Sequence, residues 1–241
     1  MVSADGKPKT IHVYVALCDN ENQGIVPVPS SLGNGQDPSN NLYWGALYGV
    51  KTYFKGSSDW LLIKTIRKPD SNVLERCVFK SKKNDALLIA DAYDGAKIKK
   101  TIIDFLRSSA GQRIDTIQVD SQCVLAGGAA ELIVYIGHNG LMEFSVSEQL
   151  NTTDSLKRDV IILACMSRQY FGNHIVRAKA MPLLWTTGFM APEAYTLHAA
   201  IEEWQKGSEP DLVRQRAAEA YDKYQKCGIS AAMRLLVTDK K

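Results

Sequence analysis

Two short apolar runs, 132–136 and 160–164, constrain this chain more than any other feature. The first reads Leu-Ile-Val-Tyr-Ile and leads into Gly137-His138-Asn139-Gly140; the second reads Val-Ile-Ile-Leu-Ala and leads into Cys165. Continuous apolar runs of this length, rich in β-branched residues and bounded by Gly or charge, read as strands buried on both faces. Each run delivers one chemically capable side chain at its carboxyl end. In open α/β sheets the carboxyl ends of the strands are where ligands bind. Neighbouring strands lie about 4.8 Å apart, so if these two are neighbours an imidazole and a thiol converge over one sheet edge. That pairing is the minimum for a nucleophile with its base.

Each residue also has a plainer reading. A cysteine closing an apolar run is commonly an inert core thiol, and a histidine after a strand is commonly structural. The joint occurrence of the two, at equivalent ends of consecutive strands, favours a site.

The rest of the chain reads as strand–helix alternation, which argues for a mostly parallel sheet. Residues 11–18 form a first apolar strand, with Asp19 and Glu21 just past its end. Residues 23–41 carry Gly24, Pro27, Pro29, Gly33, Gly35 and Pro38 without helical or strand period. A loop this long in a compact domain is either functional or a surface excursion. A helix is predicted over 42–54, capped by Ser39-Asn40-Asn41, and strands over 60–66, 73–79 and 85–95. The last of these carries Asp91 and Asp94, and Asp94 is equally a cap for an amphipathic helix over 97–108. Residues 114–119 read as a short strand or turn, 126–130 as a flexible link, and 141–146 as a small hairpin. Helices are expected over 168–179, 192–205 and 209–226, a strand over 180–188, and a last helix or strand over 229–237. The helix opening at 168 places its positive end under Cys165, which favours a thiolate. Ala126-Gly-Gly-Ala-Ala130 has neither phosphate-loop spacing and precedes a strand, so no nucleotide site is expected.

With 241 residues, 45% hydrophobic and 23% charged, the chain is long enough for one large α/β domain and ordinary for a soluble protein. A formal charge of +3 is too small to point to nucleic acid. No apolar run approaches the roughly 18 residues of a membrane span. Residues 1–10 hold no signal-peptide core and are expected to be disordered. The five cysteines, 18, 77, 123, 165 and 227, are scattered without CxxC spacing. They fit a reducing compartment or burial, and neither metal nor cofactor is expected. The compartment stays open: cytoplasmic, or secreted with its signal peptide already removed.

Tyr135-Ile136-Gly137-His138 followed by Ala164-Cys165 resembles the caspase-like (clan CD) cysteine peptidases, which include caspases, legumains, gingipains, clostripain and separases. The His block is most similar to the gingipain and clostripain type. The resemblance covers the order of elements over roughly 11–205 and about ten residues of motif. It implies a three-layer caspase-like α/β fold with helices on both faces of a mostly parallel sheet. It further implies a His138/Cys165 dyad that hydrolyses a peptide or protein substrate. The oxyanion would be held by the backbone amide of Cys165 with that of Asn139 or Gly140. The family's Gly directly after His is Asn139 here, with Gly140 one place later. By element order, Trp185, Thr186 and Thr187 would line the substrate path, and Asp19, Glu21, Asp91 and Asp94 are candidates for an acidic pocket selecting a basic P1 residue. The alternatives are a catalytically weak caspase-like domain serving as a binding or adaptor module, and a flavodoxin-like binding domain in which both residues are incidental.

Overall fold

The computed structural model describes residues 9–119, 122–152 and 154–240. Of the ten residues expected to be disordered, 1–8 lie outside these, and Thr10 opens the first strand.

The strands are β1 (Thr10–Ala16), β2 (Trp60–Arg67), β3 (Val73–Ser81), β4 (Leu87–Tyr93), β5 (Ile114–Val119), β6 (Gln122–Gly127), β7 (Leu132–Ile136), β8 (Asp159–Leu163), β9 (Met181–Thr186) and β10 (Leu236–Val237). The helices are α1 (Val50–Gly56), α2 (Ile98–Ser109), α3 (Ser167–Ala178), α4 (Ala194–Gln205), α5 (Pro210–Gln225) and α6 (Ile229–Leu235). Eight strands form one sheet in the order β10-β9-β8-β7-β1-β4-β3-β2. Its centre, β4-β1-β7-β8-β9, is parallel, and both flanks are antiparallel. The five parallel strands therefore end on one edge.

The apolar runs are unbroken because helices cover both faces. Along β1, Ile11, Val13 and Val15 face a core shared with α1, α4, α5 and α6. Tyr14 and Ala16 face a second core built with α2 and α3. This is a three-layer α/β arrangement. No helix among the described residues is long and apolar enough to cross a membrane.

Four segments depart from the sequence expectation. The helix predicted over 42–54 is confined to α1, and 42–49 runs in turns. Asn41, the expected cap, is buried and spends its side chain on the chain just past β1: its Nδ2 donates to the Cys18 carbonyl at 2.8 Å and its Oδ1 accepts the Cys18 amide at 3.0 Å. Gly45 and Gly49 let the turns lie directly against backbone, where a side chain would collide. The supposed link at 126–130 begins as the end of β6, which pairs antiparallel with β5 as a separate two-stranded sheet. The hairpin expected at 141–146 is a 3-10 turn, Gly140–Met142, with coil after it. Residues 229–237 hold both alternatives, α6 and then β10.

Candidate active site

β7 and β8 are parallel neighbours in register through Ile136↔Leu163. His138 and Cys165 each stand two residues beyond that last pair, so both leave the same sheet edge side by side. Gly137 turns the chain toward His138 with φ 145°, a region that suits glycine; a Cβ there would come within 2.8 Å of the Ala16 carbonyl oxygen. The Tyr135 hydroxyl donates to the His138 carbonyl at 2.6 Å and holds this turn from below.

The Cys165 side is built as strand, turn and helix. Met166 adopts the left-handed conformation (φ 50°, ψ 33°), and α3 starts at Ser167, two residues past the thiol. The Met166 amide donates to the Gly188 carbonyl at 2.8 Å. Ser167 Oγ donates to the Ile162 carbonyl at 2.9 Å, and the Ser167 amide donates to Thr186 Oγ1 at 3.1 Å. Thr186 Oγ1 donates in turn to the Ala164 carbonyl.

Cys165 is half-buried. Its sulfur accepts the Met190 amide at 3.4 Å, and the thiol reaches the Met190 carbonyl at 3.6 Å. His138 Nε2 lies 2.5 Å from Glu143 Oε1, and the same oxygen accepts the Gly24 amide at 2.9 Å. Among the described residues no hydrogen bond joins His138 to Cys165. Such bonds are often open until substrate binds.

Asn139, which stands where the motif the sequence resembles has Gly, is fully buried and stitches the two loops together. Its Nδ2 donates to the Cys165 carbonyl at 2.7 Å, while its Oδ1 accepts the Leu141 amide at 3.1 Å and caps the 3-10 turn. Among the described residues the amides of Cys165 and Asn139 donate to no protein oxygen. Gly140 packs against the Phe144 ring, which leaves no room for a side chain. Beside Glu143 opens a cavity of about 360 Å³, with Met142, Phe144, Tyr170 and His174 in its lining.

The remaining sequence candidates are placed differently. Trp185 points into the α2/α3 core, 4% exposed, and does not wall the cleft. Thr186 is buried and ties β9 to the start of α3 through Ser167. Thr187 Oγ1 donates to the Arg234 carbonyl at 2.7 Å, holding the C-terminal segment. Asp19 is buried at the edge. Its Oδ1 accepts the amides of Glu21 and Asn22, and its Oδ2 accepts the side chains of Asn22 and Gln36. Burial pushes the Asp19 carboxyl up, but these bonds outweigh it and hold the group below its ordinary value. Roughly four acceptor positions are all a carboxylate has, so Asp19 fastens the 20–41 loop and has none left for a substrate cation. Asp94 accepts Ala96 N and Gln36 Nε2 and caps a 3-10 turn leading into α2. Glu21 is exposed. Asp91 lies inside β4, fully buried, clamped by Arg76 at 2.5 and 2.6 Å and by His12 at 3.0 Å. The expected acidic pocket is thus not assembled from these groups.

Sequence reading missed Glu143, Gly24 and Met190. A carboxylate five residues past a histidine has no periodic signature, and Met190 meets Cys165, and Gly24 meets Glu143, only through loops. It also passed over His198 and Glu202, one helical turn apart on α4, which converge with Asp59 within 4.8 Å as potential metal ligands. Lys83 Nζ already sits 2.8 Å from Asp59 and 2.7 Å from Glu202, so an ammonium fills the place a cation would take.

Comparison with protein-family models, curated proteins and solved structures finds no match to this chain.

Proposed function

We propose that the protein is a cysteine-dependent peptidase or amide hydrolase with a caspase-like fold, Cys165 as nucleophile and His138 as its proton-transfer partner. The observation that carries this reading is the placement of both residues two positions past the ends of adjacent parallel strands, with Asn139 bonded to the Cys165 carbonyl. In this mechanism the Cys165 sulfur attacks the acyl carbon of a peptide or protein substrate. The oxyanion is received by the amide of Cys165 with that of Asn139 or Gly140. His138 delivers a proton to the departing amine, and water then hydrolyses the thioester.

One observation favours a second reading, a binding module without turnover: the Cys165 sulfur is engaged by the Met190 backbone, with no bond to His138. Digestion of a mixed peptide library, read by mass spectrometry, decides. Wild type is expected to cleave, Cys165→Ala to be inactive, and His138→Ala to be slower by about 10²–10⁴. Equal cleavage by wild type and Cys165→Ala would refute the cysteine mechanism, and no cleavage by wild type supports the binding module.

A further inference from the structure

Glu143 lies beyond the 3-10 turn Gly140–Met142, which brings the chain back on itself toward His138. Its Oε1 serves two donors, His138 Nε2 at 2.5 Å and the Gly24 amide at 2.9 Å. The imidazole is 10% exposed and the carboxylate side chain 35% exposed, so the pair sits at the mouth of the cleft and is partly shielded from water. An Nε2–H donating to Glu143 leaves Nδ1 as the basic nitrogen of the ring. The carboxylate also opposes any positive charge the ring acquires when it takes a proton, the part a buried acid plays behind a catalytic histidine. The second bond matters as much as the first. A carboxylate on a flexible side chain positions a histidine only if it is itself held, and here the holder is the backbone of the long 20–41 loop. Gly24 leaves room for that approach: a Cβ at this position would stand 2.4 Å from Glu143 Oε1, so the carboxylate would have to shift.

We propose that Glu143 is the positioning residue of His138, fixed in turn by the Gly24 amide, so that the loop after β1 is a working part of the site. The catalytic consequence rests on the hydrolase reading; the geometry does not.

The test uses the full chain as wild type, Glu143→Gln and Gly24→Ala. Glu143→Gln keeps an acceptor for Gly24 and removes the charge, while Gly24→Ala pushes the carboxylate aside without altering it. Proton NMR of wild type is expected to show a low-field imidazole N–H resonance that disappears in His138→Ala. In Glu143→Gln and Gly24→Ala that resonance is expected to move upfield or vanish. In peptide hydrolysis both variants are expected to lose about 10–100-fold in kcat, with KM within about twofold, because the ring's role is played after binding. Melting temperatures are expected to stay at the wild-type value. A wild type without the resonance, a Glu143→Gln that keeps its kcat, or a loss that falls on KM together with the melting temperature would each overturn the proposal. A Gly24→Ala variant that keeps both resonance and kcat would overturn the part assigned to the loop. A chain that shows the resonance and loses it in Glu143→Gln, yet cleaves nothing, upholds the pair and sinks the hydrolase reading.

Discussion

Asp91 sets burial directly against charge. Its carboxylate is fully enclosed between β1, β3 and β4, and burial alone would raise its pKa. The two hydrogen bonds from Arg76 and the contact with His12 outweigh that and hold it down to about 2. In an unfolded chain an aspartate titrates near 3.9. The folded value is the lower one, so the stability this group contributes is fully present above about pH 4 and is lost as pH falls toward 2. Asp91→Asn leaves Arg76 buried without its counter-charge, which costs about 3–5 kcal/mol at neutral pH. Urea unfolding of wild type and Asp91→Asn at several pH values checks this: the gap between them is expected to narrow between about pH 4 and 2. A gap independent of pH would refute it. The sequence showed an acid near the end of a strand, but the period of two does not say which acid meets an arginine. Asp19 and Asp91 were indistinguishable as candidates until Gln36 and Arg76 had been brought to them.

At the scale of elements, the site depends on the turns that carry two strands out of the sheet. Gly137 and Met166 both adopt left-handed backbone, one before the histidine and one after the cysteine. Asn139 ties the first turn to the second, and Ser167 with Thr186 ties the second to β9. In the caspase-like pattern that the sequence resembles, the residue after the histidine is Gly, and Asn139 departs from it. Its buried side chain instead closes two hydrogen bonds that a glycine would leave open. Asn139→Gly is therefore expected to lower stability by about 1–2 kcal/mol, given the ordinary worth of a hydrogen bond and a cap. On the proposed hydrolase reading it is also expected to reduce peptide hydrolysis, because the His138 and Cys165 loops come apart. Chemical denaturation and library digestion of this variant check both; a gain in turnover would show that the side chain obstructs the hole. The turn at 140–142 and the failure of 42–49 to become helix have one cause. In each case an asparagine side chain, Asn139 or Asn41, bonds backbone far away in sequence, and that contact is invisible to local periodicity.

Across the whole molecule, one sheet separates two large apolar cores, and a smaller third cluster joins β3 and β4 to the β5–β6 hairpin. Trp44, Trp60 and Trp204 lie in the α1/α4/α5 core and Trp185 in the α2/α3 core. Every central strand contributes to both, so neither core can dissolve without exposing strands that hold the other. Equilibrium unfolding in urea is expected to give a single transition, coincident by tryptophan fluorescence and far-UV circular dichroism; two separated transitions would show the layers to be independent. The α/β class, the buried strands and the position of His138 and Cys165 just past strand ends were legible in the sequence alone, while the pairing of β7 with β8 that sets them side by side came from the sheet order. Run length, β-branched content and bounding glycine or charge are local properties, and strands buried on both faces are rich in such residues. The surroundings of the two residues were decided only by the tertiary structure. Gly24 reaches Glu143 across 119 residues, Met190 reaches Cys165 across 25, and Asn41 reaches Cys18 across 23. Hydrogen bonds at such separations are set by where the sheet order and the packing of its loops bring the backbone, and no local pattern encodes that.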